Sequence, residues 1–449
     1  MAGGVAHWPF LRRRSERGVA SVAELWGTVM PQRPKLVLVG QLSAFPWTFE
    51  AAERAGVDLI LVPRGDDSAE AASRAGAVTE LLPLDIEGDP EGALAALRER
   101  YRREPFDGIM PANEQAVPFV ARAAGELGLP GLTEEAAAVV RDKRAMRQRL
   151  LQAGLGVPGF VVIKDAESWA EALTLRFPVV VKPASGHSSF GVTRVDDKES
   201  LEEAVAHIWK LVTTHVGADK GLGTEAGMLV EEYLDGPEIS AESIVHHGRV
   251  RVCAISWKGQ LTGPYFHEST LRAPAQLPTE ILAAIEAEVV GAHHAFGVTD
   301  GTTHTELRLV GGVRPVLLEM GARIGGGGYM AHLARVSSGI DVAAEAMRIL
   351  LGREPLCWRT EPVPGGHAAA YQVPVGDGGR FRRVRGLDSL RDDPRVDYVV
   401  QTVQPGDELR PFPDFAGYPV VVISHHGSDA EAEAYREHLA RTLAIEYEE

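Results

Sequence analysis

Cysteine is scarce in this sequence, with only Cys253 and Cys357 among 449 residues. This pair matches no metal-ligand or redox spacing and supports no disulfide framework, which suits a reducing compartment. No apolar run approaches the roughly 18 residues that a membrane-spanning helix needs. Because no continuous apolar stretch follows Arg12-Arg13-Arg14, we interpret residues 1–33 as a tail rather than a signal peptide. These absences predict a cytoplasmic protein without a membrane partner.

Basic residues are also under-represented: 46 lysines and arginines face 62 aspartates and glutamates, giving a net charge of −16. A broad contact with a phosphate backbone needs the opposite balance, so we expect no nucleic-acid partner. The composition, 45% apolar and 24% charged, is that of an ordinary globular protein. A chain of this length exceeds one ordinary core and predicts about two to four domains.

Residues 34–130 alternate between short apolar segments and helical segments. The predicted strands are Lys35–Gly40, Val57–Val62 and Phe106–Pro111. This alternation is typical of a parallel α/β domain, which binds ligands beyond the carboxyl ends of its strands. Gly40-Gln41 and Asn113-Glu114 lie at those ends. A dinucleotide is not indicated, because the sequence contains no G-x-G-x-x-G.

A long helix is predicted from Thr133 to Leu151, with Thr133 as its N-cap and Gly154 and Pro158 after its end. Other predicted elements are the strand Phe177–Pro183, the helix Ser200–Val212, the strand Gly227–Leu234, an antiparallel pair (Ile239–Val245 and Val250–Trp257) turning at His247-Gly248, and the helices Ile340–Leu351 and Asp429–Leu443.

The segment Thr305–Arg323 predicts a β-hairpin, because two alternating runs flank a glycine pair. A two-residue turn at Gly312-Val313 would place Glu306 opposite Glu319. Opposed carboxylates repel each other unless a positive charge lies between them, and magnesium bound to phosphate oxygens would supply it. The alternative is a solvated hairpin neutralised by Arg308. The residues predicted to face the core are Leu307, Leu309, Val316, Leu318 and Met320.

A loop of small residues, Ala184–Gly191, follows the strand that ends near Lys182. Small residues let the backbone approach a phosphate, and the lysine would add a point charge. The loop is not a Walker A motif, and an ordinary flexible turn is the alternative. Lys143 could equally lie on a solvated helix face. The backbone N–H and C=O groups of the strand end Glu231–Leu234 could bind the edge of an adenine. The alternative is an ordinary acidic strand end without a ligand.

The order of these features resembles the ATP-grasp superfamily. A helix lysine comes first, then a strand lysine with a glycine loop, a Glu-Glu-Tyr-Leu strand end, a two-glutamate hairpin and an arginine. The His304-Thr305-Glu306 block and the glycine run after Arg323 are most similar to L-amino acid ligases. The resemblance implies an α/β (α+β multi-domain) ATP-grasp fold. Its parts would be an N-terminal parallel α/β domain (34–130), a central ATP-binding lobe (131–235), a C-terminal ATP-grasp lobe with the metal hairpin (236–355) and a β-rich subdomain (356–449).

The resemblance also implies a role for each matching residue. ATP phosphates would be bound by Lys143, Lys182, Ser185, Gly186, Ser188, Ser189 and Gly191. Adenine and ribose would be bound by Glu231, Glu232, Tyr233, Leu234 and Glu238. Magnesium would be held by Glu306 and Glu319. Substrates would contact Glu268, Gly326 and Gly327. The catalytic residues would be Arg323 and Lys182.

The implied activity is that of an ATP-dependent carbon–nitrogen ligase, which joins a carboxylate to an amine through an acyl phosphate and releases ADP and phosphate. It would use ATP, two magnesium ions (with manganese as a possible substitute), and a small-molecule acid and amine, and it could act as a homodimer. The alternatives are a biotin-carboxylase-like or purine-biosynthesis-type ATP-grasp enzyme and a non-catalytic nucleotide-binding regulator. Intact Lys182, Glu306, Glu319 and Arg323 argue against the regulator.

The sequence departs from the family pattern at two places. Gly321 stands where the family commonly has an asparagine after the second metal glutamate, which leaves the ligands of a second ion open. Ser269–Arg272 stands where the family has a histidine shortly after the position of Glu268. The substrates therefore cannot be copied from a known dipeptide synthetase.

Overall fold

The computed structural model describes residues 33–42, 44–64, 76–186, 189–214, 227–261, 263–266, 268–411, 414 and 418–448. Apart from Arg33, the predicted tail lies outside these residues. The described helices are α1 Trp47–Ala55, α2 Pro90–Arg103, α3 Ala116–Leu127, α4 Glu134–Arg141, α5 Lys143–Gln152, α6 Leu201–Thr213, α7 Thr279–Phe296, α8 Tyr329–Ser338, α9 Val342–Leu350 and α10 Asp429–Thr442.

The described strands form four sheets. In chain order they are β1 Lys35–Gln41, β2 Asp58–Pro63, β3 Val78–Leu81, β4 Gly108–Pro111, β5 Phe160–Ile163, β6 Val179–Pro183, β7 Thr193–Val195, β8 Met228–Glu232, β9 Glu238–His246, β10 Arg249–Gly259, β11 Thr270–Ala273, β12 Gly301–Val310, β13 Arg314–Gly321, β14 His367–Gln372, β15 Gly379–Arg385, β16 Val396–Gln401, β17 Glu408–Leu409, β18 Val420–His426 and β19 Ala444–Tyr447.

The N-terminal sheet is parallel, with the strand order β3-β2-β1-β4, which confirms the predicted α/β character of this region. The sequence reasoning missed β3, a short edge strand with partly exposed side chains. At the carboxyl ends of β1 and β4, the Asn113 side-chain amide donates a hydrogen bond to the Gly40 carbonyl over 2.8 Å. The residues predicted to lie beyond these strand ends are therefore neighbours.

The predicted single helix from Thr133 to Leu151 is wrong, because the structure divides it into α4 and α5. Thr133 is the N-cap of α4, as predicted, and accepts a hydrogen bond from the Ala136 amide. Asp142 has an extended backbone and caps α5 through the Arg144 amide. The Lys143 amide donates to the Ala184 carbonyl over 2.9 Å. The break therefore joins the start of α5 to the loop after β6.

An antiparallel sheet, β5-β8-β6-β7, forms a small lobe with α6 packed on it. Its core includes Val181 and Val230 from the sheet and Ile208 from the helix. Phe190 belongs to the same core and is only 2% exposed. One side of the glycine and serine loop is thus anchored in the lobe.

The largest sheet has eight strands in the order β13-β12-β9-β10-β11-β14-β18-β16. The predicted pair β9 and β10 is confirmed and turns at His247 and Gly248, whose φ angles of +51° and +75° lie in the left-handed region. Strands from the C-terminal segment extend this sheet, while β17-β15-β19 form a separate three-stranded sheet. The proposed domain boundaries stay a prediction.

The hairpin of β12 and β13 pairs Glu306 with Glu319, as predicted. The predicted two-residue turn is wrong, because Val310 pairs with Arg314 across a three-residue loop. A bulge between Leu317 and Glu319 restores the register. In consequence Leu317 is fully buried in the core, whereas Leu318, predicted to be buried there, lines a cleft.

Among the helices of the described residues, none combines the length and the apolar composition needed to cross a membrane.

Candidate active site

One cleft between the small lobe and the eight-stranded sheet brings together most of the predicted site residues. Those lining it are Lys143, Lys182, Ser185, Gly186, Ser189, Glu231, Glu232, Tyr233, Leu234, Glu238, Glu268, Glu306 and Glu319. Gly191 follows the buried Phe190 beside the cleft. Ser188 lies outside the described residues.

The strand lysine, Lys182, is buried against a carboxylate rather than exposed in the loop. Its Nζ lies 2.6 Å from Glu231 Oε2, and Arg147 Nε lies 2.7 Å from Glu231 Oε1. Burial lowers the pKa of Lys182 to about 8, although Glu231 opposes the shift. Glu231 is itself surrounded by cations, which outweigh its burial and lower its pKa to about 2. The carboxylate of Glu231 therefore contacts these two cations.

The helix lysine, Lys143, connects the loop to the hairpin of β12 and β13. Its Nζ lies 2.8 Å from Glu319 Oε2 and donates to the Gly186 carbonyl over 3.4 Å. The side chain is nearly buried, which rules out the solvated helix face. Both lysines thus point into the cleft, each held by one carboxylate.

The far end of the cleft is aromatic. The ring of Tyr233 stacks on Phe266 with centroids 6.0 Å apart. The Arg194 guanidinium lies over the Tyr233 ring, 4.4 Å from its centroid. Glu232 also lines the cleft, and its carboxylate accepts a hydrogen bond from the Arg176 amide over 3.1 Å. The strand end therefore offers a flat apolar surface with backbone groups beside it.

A buried lysine that the sequence reasoning missed, Lys258 on β10, lies among three carboxylates. Its Nζ is 2.6 Å from Glu268, 2.7 Å from Glu306 and 3.0 Å from Glu238. Burial alone would lower its pKa, but the three carboxylates hold the pKa well above the usual value. Glu238 also pairs with Arg308 over 3.0 Å. The residue expected at the ribose thus has its carboxylate at this cluster.

The predicted substrate residue Glu268 lies at the edge of this cluster. Burial, together with Glu306 and Glu238, raises its pKa to about 7 despite the neighbouring ammonium. Its backbone amide donates to the Tyr418 hydroxyl over 2.8 Å. Glu268 therefore contacts Lys258 through its carboxylate and the C-terminal segment through its backbone amide.

His304 and Glu242 form a second charged pair behind the hairpin. Glu242 is fully buried and contacts His304 Nδ1, while His304 Nε2 lies 3.3 Å from Glu306 Oε1. Burial opposes a charged imidazole, but Glu242 and Glu306 outweigh it and raise the pKa of His304 to about 9. The other Glu242 oxygen accepts from the Gly325 amide over 3.4 Å. The pair links the hairpin to the glycine run.

Arg323 is held by a carboxylate from the N-terminal domain. Its Nε lies 3.0 Å from Glu114 Oε2, and Arg141 Nη1 lies 3.3 Å from Glu114 Oε1. Burial would lower the pKa of Arg323, but Glu114 and the glutamates of the cleft raise it. Arg323 Nη1 is buried and has no hydrogen-bond partner among the described residues. A donor is thus available for a further anion.

The glycine run after Arg323 forms a short 3₁₀ turn, Gly326–Gly328, before α8. Gly326 and Gly327 have φ angles of +58° and +62°, which favour glycine. A Cβ atom on Gly327 would lie 2.7 Å from the ring of Phe45. The two predicted substrate glycines therefore lie where this turn meets the N-terminal domain.

Comparison with known proteins identifies the family. Residues 175–331 match a model of the ATP-grasp domain, residues 49–131 its N-terminal domain, and residues 372–448 the L-amino acid ligase C-terminal domain 2. The crystal structure of L-amino acid ligase from Bacillus licheniformis is 34% identical, has a TM-score of 0.81, and the match covers 93% of this chain and 100% of that chain. The chain belongs to the L-amino acid ligase family of the ATP-grasp superfamily.

Curated relatives of this ligase-family chain are more distant. Carnosine synthase 1 of Gallus gallus is 28% identical over 361 residues, which cover 77% of this chain and 37% of that protein. Alanine–anticapsin ligase of Bacillus subtilis (strain 168) is 28% identical over 257 residues, 54% of each chain. The chain thus spans about half of these relatives' length or less.

ATP-grasp enzymes use ATP and magnesium, and the residues of this L-amino acid ligase family member fit both. Glu306 and Glu319 are opposed on neighbouring strands and offer the carboxylate oxygens that magnesium prefers. Two lysines and the unpaired Nη1 of Arg323 provide donors for phosphate oxygens. The cleft therefore has a donor set for a magnesium-bound nucleotide.

Sequence reasoning missed three charged residues of this site: Arg147, Lys258 and Glu242. It placed Glu114 beyond a strand end but did not predict the contact of Glu114 with Arg323. Only Lys258 left a usable local signal, because Ala254, Ser256 and Lys258 follow one buried face of β10. Arg147 and Glu242 lie far along the chain from their partners, Glu231 and His304, and meet them only in the fold.

Proposed function

We propose that this protein is an ATP-dependent ligase that joins the carboxylate of an amino acid or small acid to the amine of an amino acid or peptide. The observation that carries the proposal is the opposed pair Glu306 and Glu319 with Lys143, Lys182 and Arg323 around it. Three cations around two carboxylates suit a triphosphate with magnesium and a carboxylate acceptor.

The reaction proceeds in two steps. A carboxylate oxygen of the acid attacks the γ-phosphorus of ATP. The bond between the γ-phosphorus and the oxygen of the β-phosphate breaks, so that the products are an acyl phosphate and ADP. The neutral amine then attacks the acyl carbon, phosphate leaves, and the amine proton passes to the surroundings. Catalysis is mainly positioning and charge stabilisation.

The phosphates are bound by the two lysines. Lys143 and Lys182 exchange part of their contact with Glu319 and Glu231 for phosphate oxygens. The loop residues Ser185, Gly186, Ser188, Ser189 and Gly191 cover the phosphates with backbone amides. Glu306 and Glu319 would hold magnesium, which would neutralise phosphate charge. Two ions, with manganese as a substitute, are the expectation from the resemblance.

The adenine lies on the aromatic end of the cleft, beside Tyr233 and Leu234. Backbone groups of Glu231 and Glu232 border the base, since both carboxylates are held elsewhere. Glu238 has its carboxylate at Lys258, so a ribose contact would require this side chain to exchange partners.

The acid and the amine meet between Arg323, Glu268 and the glycine turn. Arg323 stabilises the transferring phosphoryl group through its unpaired Nη1. Glu268 accepts hydrogen bonds from a substrate amine, and Gly326 and Gly327 leave room for its chain. Substrates of this kind are small molecules, and a homodimer in the cytoplasm is a family-level expectation.

Carboxylation of biotin and purine-type ligation use the same fold but are less well supported. The L-amino acid ligase C-terminal domain and the 34% identity over most of the chain favour peptide bond formation. The intact cations and carboxylates of the cleft also disfavour a non-catalytic regulator.

A matrix of amino acids and other small acids against amines tests the proposal. We expect ADP release above background only for certain pairs, with a product whose mass equals acid plus amine minus water. Glu319→Gln should abolish this turnover without unfolding the protein, because it removes charge from the metal carboxylate but keeps its shape. Binding of ADP without any product across the matrix would favour the regulator, and bicarbonate-dependent turnover would favour carboxylation.

A further inference from the structure

The ammonium of Lys258 has the surroundings of a small cation. It contacts Glu268, Glu306 and Glu238 over 2.6, 2.7 and 3.0 Å, and the Lys258 side chain is only 1% exposed. The three carboxylates come from different segments, β9, β12 and the residues before β11. Their convergence on one buried point defines a cation position.

The spacing of these oxygens also suits a divalent ion. One oxygen from each of Glu238, Glu268 and Glu306 lies within 4.8 Å of the others. In an octahedral site with bonds of about 2.1 Å, neighbouring ligands are about 3 Å apart and opposite ones about 4.2 Å. Without the lysine, the three carboxylates could therefore hold a magnesium ion.

The hairpin itself lacks a ligand for a second ion. Gly321 has no side chain, and a Cβ atom there would lie 2.7 Å from Glu114 Oε2. That carboxylate is held by Arg323 and Arg141. A side chain at this position would require the Glu114 carboxylate to move, and the glycine itself offers no oxygen ligand beyond its backbone.

We propose that Lys258 is a resident cation that takes the place of the second magnesium ion, so that ATP binds with one divalent ion per chain. The ion lies at Glu306 and Glu319, and the ammonium supplies the second positive charge beside Glu306. The inference rests on the proposed nucleotide site and concerns only its number of ions.

The number of divalent ions bound per chain can be measured directly with manganese. Manganese ions in a paired site lie about 3.5–4 Å apart, so their electron paramagnetic resonance spectrum shows spin coupling, which an isolated ion lacks. With a non-hydrolysable ATP analogue bound, we expect one manganese per chain and an uncoupled spectrum. Two coupled ions per chain would overturn the inference.

Substitution of the lysine gives the complementary test. Lys258→Met should raise the count from one to two, because manganese can enter the vacated carboxylates, whereas Lys258→Arg should keep the count at one. A folded Lys258→Met protein that still binds one ion contradicts the inference. If this variant fails to fold, the counts for the natural protein and Lys258→Arg decide.

The two proposals fail in different ways. Calorimetry with the same analogue and manganese shows whether the nucleotide binds. Absence of nucleotide binding would refute the nucleotide site, and with it the proposed function. Nucleotide binding with two ions would refute only the role of Lys258.

Discussion

Arg323 lies among carboxylates from three parts of the chain. Glu114 holds its Nε, and Glu242, Glu306 and Glu319 raise its pKa. A guanidinium already fixed on one side loses little freedom when its other side binds an acyl phosphate. Preorganised donors of this kind act mainly on the transition state.

We therefore expect Arg323→Ala to lower turnover about 100-fold, or about 3 kcal/mol, with little change in ATP affinity. Arg323→Lys should rescue poorly, because an ammonium cannot form the same paired hydrogen bonds. Turnover and nucleotide affinity of each variant are measured together, with Arg383→Ala, an exposed arginine paired with Glu446, as control. Weakened ATP binding with intact turnover at saturation would contradict the catalytic role.

The lowered pKa of Lys182 predicts that nucleotide binding depends on pH. Burial lowers its pKa to about 8 in the free protein, and bound phosphates should raise that pKa. Above pH 8 the free protein must therefore take up a proton to bind, so affinity should fall with rising pH, by up to about tenfold per unit. Calorimetry of ADP binding should show this, and Lys182→Met should bind weakly without the trend. A constant affinity from about pH 7 to about pH 10 would exclude the assignment.

At the scale of elements, the hairpin shows what the sequence could predict. Alternation of apolar and polar residues predicted the hairpin. The pairing of Glu306 with Glu319 was inferred from a two-residue turn at Gly312-Val313, and the pairing is present although that turn is wrong. The loop of three residues and the bulge at Leu318 could not be predicted, because they compensate each other. Similarly, the break at Asp142 depends on the hydrogen bond from Lys143 to Ala184, a residue far along the chain.

The loop after β6 is the element that we expect to respond to nucleotide. Phe190 anchors one side of it, and the Gly186 carbonyl accepts from Lys143. When Lys143 contacts a phosphate, the backbone amides of the loop should also bind phosphate oxygens and become less accessible to solvent. Hydrogen exchange of a peptide spanning residues 184–191 should slow with ADP and magnesium, while α10 should not change. Equal exchange rates with and without nucleotide would rule out a phosphate-covering loop.

At the scale of the molecule, the N-terminal domain completes the site. Its fold was predictable, since alternating strands and helices predict a parallel sheet, and Glu114 was placed beyond a strand end. The contact of Glu114 with Arg323 was not predictable, because it joins segments about 200 residues apart in a way that only the assembled sheets define.

Glu114→Gln should therefore affect both stability and turnover. Breaking a buried ion pair typically costs about 3–5 kcal/mol, although the neighbouring glutamates will offset part of this for Arg323. We expect a lower melting temperature and reduced turnover with ATP affinity largely kept. If melting temperature and turnover both equal those of the natural protein, Glu114 does not position Arg323.

The acyl phosphate is the central claim, and isotope transfer tests it most directly. The acid found active in the substrate matrix is labelled with ¹⁸O in its carboxylate and incubated with ATP, magnesium and the amine. The mechanism predicts one ¹⁸O atom in each released phosphate, because a carboxylate oxygen becomes the bridge to the transferred phosphorus. Phosphate that carries no label while the amide forms would contradict the mechanism.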